Sequence, residues 1–317
     1  MQIAISVGDL NGIGIELALR SHEQVSRIAD PLYLLDRTML EQAARKLGME
    51  IPEGFRIRPP ADSRPFTIRP GTVCAEAGAY SYASFKSAVD LARSGVAAGV
   101  CTLPIHKKAW EAAGVTYKGH TDALRSWFDA EAIMMLGCPQ MYVGLYTEHI
   151  PLRQVADRIG REPLERFLLD FHRETGATRI GVLGLNPHAG DDGVLGDEES
   201  TIRKAIEGAN QTLRRQGILP EGESLFEGPL VPDVAFTPAA RSRYRYYAAL
   251  YHDQGLIPLK ALYFDESINV SLNLPILRSS VDHGTAFDIA YGGGSPDNRS
   301  YLNAVGYLAR RASLIRR

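Results

Sequence analysis

The feature that most constrains this chain is the alternation, along its whole length, of short apolar runs with amphipathic helical segments. Apolar runs of about 4–8 residues that end at turn residues are typical of buried strands. Such runs predict strands at residues 2–7, 32–35, 99–103, 141–146, 179–185, 233–236 and 247–251. Helices are predicted between them, as at residues 82–93 and 164–174. Because strands that alternate with helices form a parallel or mixed sheet covered by helices, we expect an α/β fold.

Length and charge limit the organisation and the class of partner. A chain of 317 residues exceeds the size at which one hydrophobic core usually divides, so we expect two domains. No Gly/Ser-rich or Pro-rich linker separates two halves, which suggests that the chain crosses between domains more than once. A net charge of −2 argues against non-specific nucleic-acid binding. No apolar run approaches the roughly 20 residues that span a bilayer, and the start lacks a signal-peptide pattern, so we expect a cytoplasmic protein without membrane contact.

Three histidines directly follow predicted strands. They are His149 in MYVGLYTEHIPL, His188 in IGVLGLNPHAGDDG and His252 in YYAALYHDQGL. In open α/β sheets, side chains from the carboxyl ends of strands converge on ligands. A single histidine there is more often a hydrogen-bonded loop residue, and only the recurrence favours a divalent-metal site.

Polar residues that suit an anion follow the third histidine. Lys260, Asn269 and Arg278 provide a point charge, a neutral hydrogen-bonding group and a planar two-pronged donor for a phosphate or carboxylate. Asp253 is a candidate catalytic residue that could orient an imidazole or relay protons. Asp233, at the start of the predicted strand DVAF, is a weaker candidate for the same polar network.

The first predicted strand is followed by a glycine-rich turn with Gly8, Gly12 and Gly14. The helix that begins there could present backbone N–H groups to an anion, although a turn without a ligand fits equally well. The spacing G-x-x-x-G-x-G does not match the dinucleotide fingerprint G-x-G-x-x-G. This segment therefore does not predict a Rossmann site.

Taken together and in this order, seven motifs resemble the family of 4-hydroxythreonine-4-phosphate dehydrogenases of pyridoxine biosynthesis. The motifs are SVGDLNGIGIE, TLPIHK, GHTD, EHIPL, LNPHAGDDGVLGDEE, YHDQGLIPLK and INVSLNLPILRSSVDHGTAFDIA. The resemblance implies a fold similar to isocitrate and isopropylmalate dehydrogenases, with two α/β domains flanking a cleft, and an obligatory homodimer. We expect a cofactor-binding domain at residues 1–118 with 275–317, and a metal, substrate and dimerisation domain at residues 119–274.

The resemblance also implies a role for individual residues. The ligands of a divalent cation (zinc, magnesium or cobalt) would be His149 and His188 of one subunit and His252 of the other. Five positions match substrate-binding residues, namely His120, Thr121, Lys260, Asn269 and Arg278. The segment HGTAFDIA would bind NAD or NADP through His283, Gly284, Thr285 and Asp288. The chain departs from the family pattern in the first motif, where the usual G-D-P-A-G-I-G-P-E is GDLNGIGIE with Leu10 for Pro, and at His106 (Asn in the family), Asp122 (Glu) and Tyr291 (Gly).

The reaction that the resemblance implies is the oxidation of 4-hydroxythreonine 4-phosphate to a β-keto acid, which decarboxylates to 3-amino-2-oxopropyl phosphate in pyridoxal phosphate biosynthesis. The cation would bind the substrate's C3 hydroxyl and lower its pKa. Two alternatives remain. A 4-phospho-threonate or 4-phospho-erythronate dehydrogenase of the same family would share most of these residues, and a three-His metallohydrolase would need no nucleotide.

Overall fold

The computed structural model describes residues 1–292 and 294–315, and its chain forms two compact units. The first unit comprises Met1–Ala132 and Ile268–Arg317, and the second comprises Ile133–Ser267. The chain therefore leaves the first unit and later returns to it. The boundaries between the two units lie after Ala132 and before Ile268, whereas the sequence analysis predicted domain boundaries after residue 118 and before residue 275. The functions predicted for the two domains stay predictions.

The predicted α/β class is confirmed, since strands and helices alternate through the described residues. The strands are β1 (Gln2–Ser6), β2 (Asp30–Leu34), β3 (Ile57–Arg58), β4 (Val100–Thr102), β5 (Ile133–Cys138), β6 (Met141–Leu145), β7 (Ile180–Leu183), β8 (Phe226–Leu230), β9 (Tyr246–Ala249), β10 (Ile268–Leu272) and β11 (Arg278–Val281). The helices are α1 (Gly14–Ile28), α2 (Arg37–Leu47), α3 (Ala75–Arg93), α4 (Lys107–Ala112), α5 (His120–Phe128), α6 (Val155–Arg158), α7 (Arg161–Thr175), α8 (Glu198–Arg215), α9 (Pro238–Arg243), α10 (His252–Tyr263) and α11 (Arg299–Ile315).

In the first unit the strands follow the order β3-β2-β1-β4-β11-β10. All neighbours are parallel except β10, which runs antiparallel to β11. Because β1, β4 and β11 are parallel, their carboxyl ends meet at one edge. This edge gathers the turns that begin at Val7, Leu103 and Asp282. A hydrophobic core of the first unit lies between its sheet and helices α3, α4 and α5, where Phe85 and Trp110 are fully buried.

In the second unit the strands follow the order β5-β6-β9-β7-β8. The β5 and β6 strands form an antiparallel pair, and the remaining neighbours are parallel. The helix predicted at residues 164–174 lies within α7, which buries an apolar stripe at Leu164, Phe167, Leu168 and Phe171. None of the helices in the part of the chain that the structure describes combines the length and apolar character needed to cross a bilayer.

The strand predicted at residues 233–236 is wrong. These residues form turns, in which Ala235 N–H donates to the Val231 carbonyl and Thr237 N–H donates to the Val234 carbonyl. The strand that pairs with the outer side of β7 is instead β8, although its Gly228 and Pro229 are residues typical of loops. A proline is tolerated in an edge strand because its missing N–H need not pair with a neighbour.

Candidate active site

The turn after β1 packs closely against the segments that follow β4 and β11. A side chain at Gly8 would overlap the Pro104 carbonyl, to which Asp9 N–H donates a hydrogen bond of 2.8 Å. A Cβ atom at Gly12 would lie 2.7 Å from the Thr285 carbonyl oxygen, which also accepts from Ile13 N–H at 3.0 Å. The glycines of this turn therefore allow it to contact the segment HGTAFDIA, and they leave Thr285 only 8% exposed.

Asp9 is fully buried in this turn, and sequence reasoning missed it although it lies within the motif SVGDLNG. Its Oδ1 accepts from Asn11 N–H at 2.9 Å, whereas its Oδ2 is buried without a hydrogen-bond partner. Burial raises the pKa of Asp9 to about 6, and the bond from Asn11 N–H opposes that shift. The carboxyl group therefore keeps its proton to a higher pH than an exposed aspartate does.

The departures from the family pattern at Leu10, His106 and Tyr291 have contacts at this edge of the first unit. The Tyr291 hydroxyl donates to the Leu10 carbonyl at 2.8 Å, and Tyr291 adopts a left-handed backbone conformation with φ of 60°. Glycine favours that conformation, which agrees with Gly at this position in the family pattern. The His106 ring stacks on Phe287 with centroids 4.8 Å apart. These contacts join the predicted cofactor segment to the turns after β1 and β4.

The remaining residues predicted to bind the cofactor differ in exposure. His283 Nδ1 donates to the Gly284 carbonyl at 3.1 Å, and its Nε2 is buried without a hydrogen-bond partner. Gly284 and Asp288 are exposed in the turn that follows β11. The segment thus offers both accessible groups and a buried nitrogen with unused hydrogen-bonding capacity.

Arg278, the first residue of β11, is 3% exposed and is held by two hydroxyl groups. Its Nη2 donates to Thr102 Oγ1 at 2.7 Å and its Nη1 donates to Ser271 Oγ at 3.1 Å, while its Nε is buried without a partner. Burial lowers the pKa of Arg278 to about 10, so the guanidinium remains charged at neutral pH. Neither hydroxyl neutralises this charge, and the group therefore suits an anionic ligand.

His120, at the first position of α5, lies between aromatic rings in the same unit. Its ring centroid is 4.5 Å from that of Phe85 and 5.4 Å from that of Trp110. Burial, and secondly the charge of Arg278, hold the pKa of His120 well below its ordinary value, so the imidazole is neutral. Its Nε2 is buried without a partner, as is Oδ1 of Asn269 in β10. Buried polar atoms usually have partners, and unpaired ones suit a polar ligand.

Thr121 and Lys260, which were predicted to bind the substrate, are both half-buried. Thr121 follows His120 in the first turn of α5. Lys260 belongs to α10 of the second unit, where its Nζ lies 5.2 Å from the centroid of the Phe264 ring.

Two of the three predicted metal ligands lie side by side in the second unit. The ring centroids of His149 and His252 are 5.3 Å apart. His188 is exposed in the 3-10 segment Pro187–Gly193. Within residues 1–292 and 294–315, no group of three or more His, Cys, Asp or Glu side chains is arranged to hold a metal ion. The structure of one chain therefore brings together His149 and His252 but not all three histidines.

Asp253 contacts one of these histidines, whereas Asp233 has a different setting from the one predicted. His252 Nδ1 donates to Asp253 Oδ1 at 2.7 Å, which leaves Nε2 as the nitrogen that can bind a cation. A carboxylate that orients an imidazole in this way is typical of metal-binding histidines, so these residues fit a divalent cation. Asp233 is exposed in the turn after β8 and does not enter a strand.

Comparison with known proteins assigns the chain to a family. The model of the family described as "Pyridoxal phosphate biosynthetic protein PdxA" matches residues 27–308. The 4-hydroxythreonine-4-phosphate dehydrogenase of Sulfurimonas denitrificans is 53% identical over 305 residues, which cover 96% of each chain. The enzyme of that name from Helicobacter pylori strain Shi470 is 48% identical over 97% of this chain and 99% of its own. A crystal structure of a 4-hydroxythreonine-4-phosphate dehydrogenase from Burkholderia phymatum is 33% identical and aligns with a TM-score of 0.79 over 98% of both chains. The chain therefore belongs to the PdxA family of pyridoxal phosphate biosynthetic proteins.

Proposed function

We propose that this protein is an NAD(P)-dependent dehydrogenase that oxidises 4-hydroxythreonine 4-phosphate to a β-keto acid, which decarboxylates to 3-amino-2-oxopropyl phosphate in pyridoxal phosphate biosynthesis. The proposal is supported by relatives of that name that align over nearly the whole chain. The structural observation that carries it is the buried, charged Arg278, which has an unused N–H donor and lies close enough to His120 to affect its pKa.

The substrate would be bound by His120, Thr121, Lys260, Asn269 and Arg278, of which Lys260 and Arg278 would hold its phosphate. The guanidinium of Arg278 provides charge-assisted hydrogen bonds, which are stronger than bonds between neutral groups. The hydroxyl of Thr102 holds this guanidinium in one orientation, so less side-chain entropy is lost when the substrate binds. His120 is neutral, so one of its ring nitrogens can accept a hydrogen bond while the other donates.

A divalent cation (zinc, magnesium or cobalt) would be held by His149, His188 and His252, with the set completed across a homodimer. When bound, the cation supplies a Lewis acid that lowers the pKa of the substrate hydroxyl and stabilises the charge left by loss of CO2. Asp253 would hold His252 in the tautomer that presents Nε2. Asp253, and less strongly Asp233, are candidates to carry protons to or from the substrate.

The nicotinamide cofactor would be bound by His283, Gly284, Thr285 and Asp288. It supplies the acceptor for the hydride that leaves C3 of the substrate. The role of this chain is to hold the segment in place through the contacts of Thr285 and Tyr291 with the turn after β1. The test of this proposal compares NAD with NADP, which carries an additional 2′-phosphate on its adenosine ribose.

We propose a homodimer, in which exposed apolar side chains of the second unit would be buried. Val194, Leu152, Ile257 and Phe264 are 78%, 69%, 67% and 62% exposed in the single chain. Large apolar side chains that a single chain exposes are often buried in subunit interfaces.

The free thiols of Cys74, Cys101 and Cys138 suit the reducing cytoplasm, where we place the reaction.

The decisive assay follows the absorbance of reduced nicotinamide when the purified protein, a divalent cation and NAD or NADP are mixed with 4-hydroxythreonine 4-phosphate. We expect reduction that depends on this substrate and is lost in a chelator. Replacing the substrate amine by a hydroxyl should lower kcat/KM sharply, because groups that pair with one polar substituent are left unpaired with the other. Equal or better turnover of 4-phospho-threonate or 4-phospho-erythronate would assign the protein to that alternative. Hydrolysis without nicotinamide reduction would identify a metallohydrolase.

A further inference from the structure

The turn that carries His188 has an unusual backbone. Residues 188–192 all have positive φ, between 45° and 80°, and only one of the five is glycine. Side chains of L-residues clash with their own backbone in this left-handed conformation. A run of this kind persists only where the surrounding structure holds it in place.

The group that holds this turn is the carboxylate of Glu199 in α8, which is 2% exposed. Its Oε1 accepts from Leu185 N–H at 2.8 Å and from Asn186 N–H at 2.7 Å. Its Oε2 accepts from the Asn186 side-chain amide at 2.9 Å. Glu199 therefore binds the chain directly before the left-handed turn, and three N–H donors stabilise its buried charge.

The same carboxylate also lies against the middle of the turn. A Cβ atom at Gly190 would lie 2.7 Å from Glu199 Oε2. The Gly190 carbonyl accepts from Leu195 N–H at 3.0 Å, and the Asn186 carbonyl accepts from Ala189 N–H at 3.1 Å. Glu199 thus contacts both the entry and the centre of the turn, on either side of His188.

We propose that Glu199 is a positioning residue that holds the turn at residues 188–192 and thereby determines where the imidazole of His188 is presented. This inference rests on the proposed function in one respect, the role of His188 as a metal ligand. Glu199 would act as a hydrogen-bond acceptor for the turn and not as a ligand of the cation, since Oε1 accepts two N–H donors and Oε2 accepts a third. Its effect on the metal is exerted through the backbone.

The test compares three variants of the full-length protein. Glu199→Ala removes all three hydrogen bonds. Glu199→Gln keeps a carbonyl oxygen that can accept from both backbone N–H groups, and it provides a second variant if Glu199→Ala does not fold. The matched control is Glu198→Ala, because the neighbouring Glu198 accepts at 2.7 Å from the same Asn186 amide but lies half-buried at the turn's surface.

Two measurements report on the turn and on the metal separately. Limited proteolysis with mass spectrometry gives the rate of cleavage at residues 188–196, relative to the exposed segment at residues 61–65 of the first unit. Competition with a chelator gives the affinity for Zn²⁺ of each protein after removal of metal. For Glu199→Ala we expect relative cleavage to rise at least about tenfold and Zn²⁺ affinity to fall about 10- to 100-fold. The relative cleavage and the Zn²⁺ affinity of Glu199→Gln should both lie between those of Glu199→Ala and the wild type. Both values for Glu198→Ala should stay within about twofold of the wild type.

The inference is overturned if Glu199→Ala and Glu199→Gln leave the relative cleavage unchanged, or if cleavage rises equally in both segments. A parallel titration of His188→Ala separates this failure from failure of the proposed function. If His188→Ala weakens Zn²⁺ binding and Glu199→Ala does not, the positioning role is wrong and the ligand assignment stands. If His188→Ala leaves the Zn²⁺ affinity unchanged, the ligand assignment itself is wrong.

Discussion

The carboxyl group of Asp9 links one buried residue to the pH dependence of the whole protein. Its pKa is about 6 in the folded chain and about 3.9 in unfolded chains. Because the folded state binds the proton more tightly, the stability that Asp9 contributes is present below about pH 4 and is lost as the pH rises through 6. The difference corresponds to about 3 kcal/mol of unfolding free energy.

We therefore expect Asp9→Asn to remove most of the fall in unfolding free energy as the pH rises, since the amide keeps an acceptor for Asn11 N–H and carries no charge. Urea unfolding from pH 4 to pH 7 measures the effect as the change in unfolding free energy across that interval. Asp233→Asn, which alters an exposed carboxylate, is the control and should retain the wild-type slope. An unchanged slope in Asp9→Asn would show that other groups dominate the pH dependence.

Arg278 is the second residue with a direct prediction. Charge-assisted hydrogen bonds to a phosphate contribute about 1.5–3 kcal/mol each, so Arg278→Ala should raise the substrate KM at least about tenfold. The affinity for NAD, measured by fluorescence quenching or calorimetry, should change little. Thr102→Val keeps the guanidinium but removes the hydroxyl that orients it, and it should raise KM by a smaller factor. A wild-type KM in Arg278→Ala would remove this residue from the substrate site.

At the residue scale, the sequence predicted groups that carry their own chemistry and missed those that act through distant contacts. Arg278 and His120 were predicted, and the structure buries both with unpaired polar atoms. Thr102 was missed because its partner Arg278 is 176 positions away in the sequence. Glu199 was missed because an acidic residue at the start of a helix is ordinarily explained by favourable interaction with the helix dipole.

The packing of α3 against α4 provides a prediction at the scale of elements. Alanine at Gly78 in α3 would overlap the Ala109 backbone carbonyl, which cannot move without displacing α4. Alanine at Gly208 in α8 would instead meet the carboxylate of Glu165, the end of a flexible and half-buried side chain. Both substitutions gain helix propensity of up to about 1 kcal/mol, so the pair separates packing from propensity.

We expect Gly78→Ala to lower the free energy of unfolding by about 2 kcal/mol, within the range found for overpacked cores. Gly208→Ala should remain within about 1 kcal/mol of the wild type. Urea denaturation followed by far-ultraviolet circular dichroism measures both values. Equal values for the two variants would mean that α4 can move away from α3 at little cost.

Element by element, the periodic segments were predicted best and the irregular ones least. The stripe of α7 was predicted because four apolar residues at helical spacing need a single buried face. The strand β8 was not, because its Gly228 and Pro229 are typical of loops, and only pairing with β7 makes the segment a strand. The left-handed turn at residues 188–192 has no local pattern that predicts it, since its conformation depends on Glu199.

At the scale of the whole molecule, the division into two units follows from chain length and from the alternation of elements. The return of the chain to the first unit could be expected because no linker separates two halves. How the metal ligands are divided between the subunits does not follow from chain length or from the alternation of elements. The resemblance assigns His149 and His188 to one subunit and His252 to the other, yet the structure places His149 beside His252 in one chain.

Mixing inactive variants distinguishes these two divisions of the ligands. If His252 comes from the partner, a heterodimer of His149→Ala with His252→Ala contains one site that has lost two ligands and one intact site. Half of the dimers in a statistical mixture are heterodimers, so activity should recover to about a quarter of the wild-type value. The mixture of His149→Ala with His188→Ala should stay inactive, because each of its sites lacks one ligand. We expect this pattern, with subunit exchange confirmed by mass spectrometry and metal content measured in the same samples. Recovery in the second mixture alone would instead mean that one chain supplies His149 and His252 and its partner supplies His188. No recovery in either mixture would mean that one chain supplies all three ligands.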